Sequence, residues 1–277
     1  MIATVRRLLV VGMDGVNWPQ VEAAGTPHLD ALAAAGAFGQ SLVPCPPDVA
    51  ETCSGPGWST VATGVWPAKH GVRDNGFAGQ QYGAYPDFLT RLQRADPRRH
   101  TYCAVDWAAL HEQGTFGPDI HTRLTLDGEA DGYATQDEKL TADAEQRLRD
   151  DDYDASFVYL GNTDAVAHLT GTGAEYRAAI EEQDRQLGRL VTAIEQRSAR
   201  RTESWLVIVT TDHGHRVPSG GHGGCDPDER GTWIVASGPG IAAASRPIGT
   251  AQVDVAATAL RHFGLTPPLD GRPLQDR

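Results

Sequence analysis

Short apolar runs alternate along this chain with longer stretches whose apolar positions recur at helical spacing. Residues 8–13 are apolar and lead into Asp14-Gly15, the pattern of a buried parallel strand leaving the core. Residues 102–105, 155–160 and 205–210 are further β-rich runs, and 234–236 is a shorter one. Between them, residues 26–36 place Thr before Pro27 and end on Gly36, which predicts a capped helix with a sharp stop. Residues 135–149 and 174–197 read as long helices with one polar face, 253–263 as a closing helix, and 58–62 as a helix opening from a Gly/Pro turn. This alternation predicts an α/β fold, a mostly parallel central sheet with helices on both faces. No repeat or low-complexity tract interrupts it. The expected organisation is one catalytic domain over 1–277, with 76–135 as a small lid. The Pro/Gly-rich patches at 44–57 and 216–231 are expected to be active-site loops.

At 277 residues and 40% hydrophobic, the chain can bury a sizeable core. Its net charge of −12 argues against a nucleic-acid polymer as partner, which would call for clustered Lys and Arg. The four cysteines have no C-x-x-C spacing, so free thiols in a reduced compartment are expected, with a Cys45–Cys53 bridge as the alternative. The early apolar run is too short for a signal-peptide core and no segment reaches membrane-spanning length. The expected location is therefore cytoplasmic, with no membrane partner.

Asp14, Asp164 and Asp212 each follow a strand-like run within a few residues, and ligand sites in open α/β sheets form at the carboxyl ends of strands. A lone Asp there is commonly a turn or cap residue. Here Asp164 is followed by His168 one helical turn on, and Asp212 by His213 and then by His222 in a Gly-Gly-His-Gly-Gly loop. Ser54, in Cys-Ser-Gly-Pro-Gly-Trp, adds a hydroxyl. Three carboxylates, three imidazoles and one hydroxyl suffice to hold two divalent cations and to give one of them a nucleophile, as phosphoryl transfer requires. Mixed Asp oxygen and His nitrogen donors point to zinc, with manganese as the alternative. Backbone N–H groups at the helix start near residues 54–57 are expected to favour a phosphate oxyanion.

From residues 10–15 to 270–274 the chain resembles the alkaline phosphatase superfamily, in particular its type I phosphodiesterase/nucleotide pyrophosphatase branch. The most specific parts are Ser54-x-Pro56 with Thr63-Gly64, His70-Gly71-Val72-Arg73-Asp74-Asn75, Asp164-x-x-x-His168 and Asp212-His213-Gly214. The resemblance implies that Asp14, Ser54, Asp212 and His213 hold one metal and that Asp164, His168 and His222 hold the other. It also implies that Ser54 is the nucleophile and that Asn75 holds a non-bridging phosphate oxygen. A neutral amide suits a phosphorus carrying one negative charge, whereas a monoester would gain more from Arg. The chain departs from the branch in having Ser54 for the usual Thr, Gly57 where an Asn is usual, and a short connection from His213 to His222. It is expected to be a compact variant. His215 is the alternative ligand should His222 be only a loop residue; otherwise His215 is a loop residue near the metals.

The expected function is a two-metal phosphoester hydrolase working through a phospho-serine, a phosphodiesterase or nucleotide pyrophosphatase acting on a small molecule or nucleotide. A phosphomonoesterase using the same site is the alternative. A sulfatase is disfavoured because Trp58 stands where that motif has Arg, and a non-catalytic metal-binding protein because Ser54 is intact. Among the aromatic residues, Trp58 and Trp18 are the best candidates for stacking on a substrate base.

Overall fold

The computed structural model describes residues 4–45 and 49–277. Its strands are β1 (Val5–Met13), β2 (Ala37–Leu42), β3 (Thr101–Val105), β4 (Thr122–Thr125), β5 (Ala155–Leu160), β6 (Glu203–Thr210) and β7 (Gly231–Ser237). They form one seven-stranded sheet in the order β2-β7-β6-β1-β5-β3-β4. β1 is central and parallel to both neighbours, with Met13 beside Leu160 of β5 and Gly12 beside Thr210 of β6. β3 and β4 continue the parallel part, and β7 runs antiparallel to β6 and β2. The fold is thus the mostly parallel α/β sheet that the apolar pattern predicts. The pattern missed β2 and β4 because both lie at sheet edges, where burial is incomplete and no apolar run is needed.

Strand alternation sorts the core into two layers. Leu9, Val11, Val158, Leu160, Val207 and Val209 face helices Tyr133–Asp150 and Ala174–Glu195. Leu8, Val10, Phe157, Leu206 and Ile208 face Trp58, Val61 and Leu260 from helices Ser54–Thr63 and Asp254–His262. The helix expected after Thr26 runs Pro27–Ala35, but the Thr26 side chain does not cap it. Asp184, from a distant helix, accepts from Leu29 N at 2.8 Å and His28 N at 3.2 Å and supplies the cap instead.

Two expectations are corrected. Residues 76–135 are no separate lid: β3 and β4 lie within this stretch and pair into the sheet, β3 directly on β5. Its remaining loops do border the cavity described below. The cysteines are not all free, because Cys45 and Cys225 form a disulfide across a sequence separation of 180, with their Cα atoms 5.6 Å apart. Spacing could not reveal a pairing made by two loops that meet only in the fold. Cys53 and Cys103 are buried free thiols, so no Cys45–Cys53 bridge exists, and the thiol argument for a reduced compartment no longer holds. Among the described residues, no helix is long and apolar enough to cross a membrane.

Candidate active site

The three aspartates follow the carboxyl ends of three adjacent strands, β6, β1 and β5, so sheet order alone brings them to one edge. Asp14 is the deepest. Its Oδ2 accepts from Tyr159 Oη at 2.5 Å and from Trp58 Nε1 at 2.9 Å, which turns Oδ1 toward Ser54 Oγ and His213 Nε2, each 3.5 Å away. Trp58 is fully buried against Phe157 and Tyr159, so it orients a carboxylate and cannot stack on substrate. Trp18 packs on Phe38 and Trp233 and lies outside the cavity.

Asp212 takes Gly15 N on Oδ1 at 3.2 Å and leaves Oδ2 3.4 Å from His213 Nε2, with no hydrogen bond of its own. Ser54 Oγ lies 3.2 Å from the same His213 nitrogen. Asp14, Ser54, Asp212 and His213 therefore converge as one cluster. A side chain at position 57 would place its Cβ 2.8 Å from Asp212 Cβ, so only Gly57 fits there.

The second cluster stands on helix Asn162–Thr170, where Asp164 and His168 share a face one turn apart. Asp137, which sequence reasoning passed over, caps this helix by accepting from Gly161 N at 2.9 Å and Asn162 N at 3.3 Å. Asp164 Oδ1 faces His168 Nε2 at 3.5 Å and His222 Nε2 at 3.4 Å, and the two imidazole nitrogens are 2.9 Å apart. His222 is held by Nδ1 on Thr52 O at 3.0 Å, and Thr52 Oγ1 bonds Gly224 O at 2.8 Å. His215 is also here: fully buried, with Nε2 3.1 Å from Asp164 Oδ1. The sequence signal for it was the second His in Asp-His-Gly-His, which spacing alone could not aim.

The ionisation of these groups follows from crowding. Burial and the charge of Asp164 push Asp14 up to about 7, against the hydrogen bonds from Tyr159 and Trp58. Burial and the Asp14 charge push Asp212 well above the usual carboxylate range. Burial raises Asp164 as well, but its contacts with His168, His215 and His222 outweigh it and hold the carboxyl well below that range. Burial and His222 push His213 far down, so it stays neutral. Among the described residues, donors able to hold a metal fall in three overlapping groups, Asp14/Asp212/His213, Asp164/His168/His222 and Asp164/His213/His215, with ligand atoms in each group within 4.8 Å of one another.

Both clusters border a cavity of about 660 Å³ lined by Ser54, Asn75, Trp107, Tyr133 and Tyr159, with Glu112, Asp127 and Glu129 on its wall. Asn75 Oδ1 accepts from Gly55 N at 2.7 Å. Pro56 has no N–H, and Gly57 N bonds Cys53 O at 3.0 Å. The helix start therefore has few free donors for an oxyanion, and Asn75 stands beside it at the cavity.

The architecture and this donor set resemble those of the alkaline phosphatase superfamily. Residues 8–102 match the family described as type I phosphodiesterase/nucleotide pyrophosphatase, and residues 128–223 match the metalloenzyme superfamily. The first segment contains Asp14, Ser54 and Asn75; the second contains Asp164 to His222. The chain resembles the nucleotide pyrophosphatase branch, in compact form. Human ectonucleotide pyrophosphatase/phosphodiesterase family member 7 is 26% identical over 229 residues, covering 75% of this chain and 47% of that protein. The chain thus spans about half the length of the curated relative it matches. Murine ectonucleotide pyrophosphatase/phosphodiesterase 5, solved as an inactive variant with AMP, matches with a TM-score of 0.69 at 16% identity, covering 98% of this chain and 99% of that one. A phosphonate monoester hydrolase of Agrobacterium radiobacter gives 0.72 at 17%, covering 97% and 76%. At these identities the structural likeness is one of fold.

Proposed function

We propose that the protein is a two-metal phosphodiesterase that cleaves a small phosphodiester or pyrophosphate through a phospho-serine on Ser54. One observation carries the reading. His213 and His222 each place Nδ1 on a backbone carbonyl, Gly214 O and Thr52 O, both at 3.0 Å. A carbonyl only accepts, so in the neutral ring Nδ1 bears the proton and Nε2 is a bare lone pair. The His213 lone pair faces Asp212 Oδ2, and the His222 lone pair faces Asp164 Oδ1 and His168 Nε2, an arrangement that calls for cations between them. The buried oxygens Asp164 Oδ1 and Asp212 Oδ2, which make no hydrogen bond, fit the same need.

Asp14, Ser54, Asp212 and His213 would hold one divalent ion, and Asp164, His168 and His222 the other; zinc suits these donors best. When bound, the ions would acidify the Ser54 hydroxyl and offset charge on the phosphoryl oxygens. Ser54 Oγ, at the mouth of a helix, then attacks phosphorus as the alcohol on the opposite side leaves. Asn75 Nδ2 donates to a non-bridging oxygen, because Oδ1 is committed to Gly55 N. The leaving group lies against Trp107 and Tyr133, an aromatic wall that accommodates a nucleoside or another flat alcohol. Water on the vacated side hydrolyses the phospho-serine.

Diesters are favoured over monoesters by charge. Among the described residues, the cavity lining contains no Lys or Arg, and its far wall carries Glu112, Asp127 and Glu129. A second negative charge on the substrate would find no cationic side chain there. Sulfate esters are disfavoured because Trp58, where the sulfatase motif has Arg, is committed to Asp14. The test is to compare kcat/KM on bis-(p-nitrophenyl) phosphate and p-nitrophenyl phosphate, with metal content measured on the same sample. A clear monoester preference would overturn the diesterase reading, and active protein with only trace metal would overturn the two-metal reading.

A further inference from the structure

We propose that His215 is a direct ligand of the second cation, entering beside Asp164, with which it shares a donor group. The proposal rests on the two-metal reading above and adds a residue that the resemblance does not supply.

The argument begins with the ring's two nitrogens. His215 Nδ1 lies 2.5 Å from Gly220 O, a carbonyl that can only accept, so Nδ1 carries the proton. Nε2 is then a lone pair, fully buried, 3.1 Å from Asp164 Oδ1, and neither atom makes a hydrogen bond. Two acceptors at that distance inside a protein repel unless a positive charge lies between them. His70 shows what a structural histidine looks like in the same chain. It is equally buried, but its Nδ1 accepts from Val72 N at 3.2 Å and its Nε2 donates to Thr60 Oγ1 at 3.0 Å, leaving nothing over.

The surroundings keep the His215 ring aimed. Asn17 Oδ1 accepts from His215 N at 2.8 Å and Asn17 Nδ2 donates to His215 O at 3.0 Å. Tyr176 Oη in turn accepts from Asn17 N at 2.9 Å and donates to Gly15 O at 2.5 Å. Gly15 itself has φ +65°, and a Cβ there would sit 2.4 Å from His215 Nε2 and 3.1 Å from Asp164 Oδ1. The space in front of the lone pair is therefore kept open by the one residue without a side chain. His168 approaches the cluster from the half-exposed rim, and His215 approaches it from the buried side. The cation would be gripped from within as well as from solvent, which favours retention over exchange.

The experiment uses the full chain, loaded and stripped. Wild type should bind two cations. His215→Gln should keep the first at wild-type affinity and lose more than the roughly 10–100-fold at the second that removing an outer partner costs. His215→Ala should regain second-site binding when free imidazole is added, read by competition with a chromogenic chelator. Stripped wild type and His215→Gln should melt alike, so that a smaller metal-induced rise in Tm reports ligation and not misfolding. As a check independent of any variant, the dicobalt wild-type protein should show four paramagnetically shifted imidazole N–H resonances. Three resonances, or His215→Gln binding both cations as wild type does, would overturn the proposal and leave the two-metal reading intact. A wild type without stoichiometric metal would overturn that reading instead.

Discussion

Gly55 N donates to Asn75 Oδ1 over 2.7 Å, and this bond ties the residue beside the nucleophile to the side chain proposed to meet the phosphate. The amide cannot flip without placing its NH2 against an N–H, so Nδ2 is committed to the cavity. A hydrogen bond to a charged oxygen contributes about 1.5–3 kcal/mol, or roughly 10–100-fold in rate. Asn75→Ala should cost that much in kcat/KM for a diester. Asn75→Asp keeps the acceptor for Gly55 and loses the donor, so it should be at least as slow. Asn75→Arg should shift the kcat/KM ratio toward monoesters. Equal rates for Asn75→Asp and wild type would remove Asn75 from substrate binding.

Ser54→Ala deletes the nucleophile and one neutral donor, so turnover should fall by at least ~10³ while metal content holds near wild type. Asp212→Ala deletes a charged donor and should strip one cation. A brief acid quench of wild type turning over ³²P-labelled diester should leave label on Ser54. Substantial activity in Ser54→Ala would mean that water attacks directly.

Asp14 titrates at about 7 in the protein without cations, yet binds a cation only when ionised. Below pH 7 each binding event should therefore release a proton, and affinity should fall roughly tenfold per pH unit for each proton released. Calorimetry at pH 6 in buffers of different ionisation enthalpy measures the release directly. Buffer-independent heats would contradict the assignment of Asp14.

Burial lowers His70 to about 4, from about 6.5 in the unfolded chain. A depressed imidazole stabilises the fold above pH 6.5 and loses that contribution as pH falls toward 4. At pH 5 the loss should be about 2 kcal/mol. Denaturant melts at pH 8 and pH 5 should show it, and His70→Gln should flatten the difference.

The Cys45–Cys225 bridge, with the Thr52–Gly224 bond, holds the loop whose carbonyl orients His222. Replacing both cysteines by Ser should lower stability by about 2–4 kcal/mol and weaken the second cation more than the first. Unchanged affinities, measured by chelator competition, would mean that the bridge plays no part in holding His222.

The parallel sheet and its three aspartates were legible because buried strands need unbroken apolar runs, and each run here ends near an acid. What a side chain does after that depends on contacts that spacing does not encode. Trp58 suggested base stacking but buries its indole against Gly12, where a Cβ would collide with the ring at 2.4 Å, and spends its N–H on Asp14. His215 could not be aimed from sequence because Asn17 and Gly15, far upstream, decide where its ring points. The disulfide was hidden for the same reason.

That bridge also changes what a protease could do to the molecule. It closes a ring from residue 45 to 225 that contains Ser54, Asn75, Asp164, His168, Asp212, His213, His215 and His222, with Asp14 on the attached tail. A single cut in any exposed loop of the ring would leave one covalent molecule, and the two pieces would separate only on reduction. Nicked protein could thus keep its site assembled through noncovalent sheet contacts and one sulfur–sulfur bond, and would run as a single band until a thiol is added.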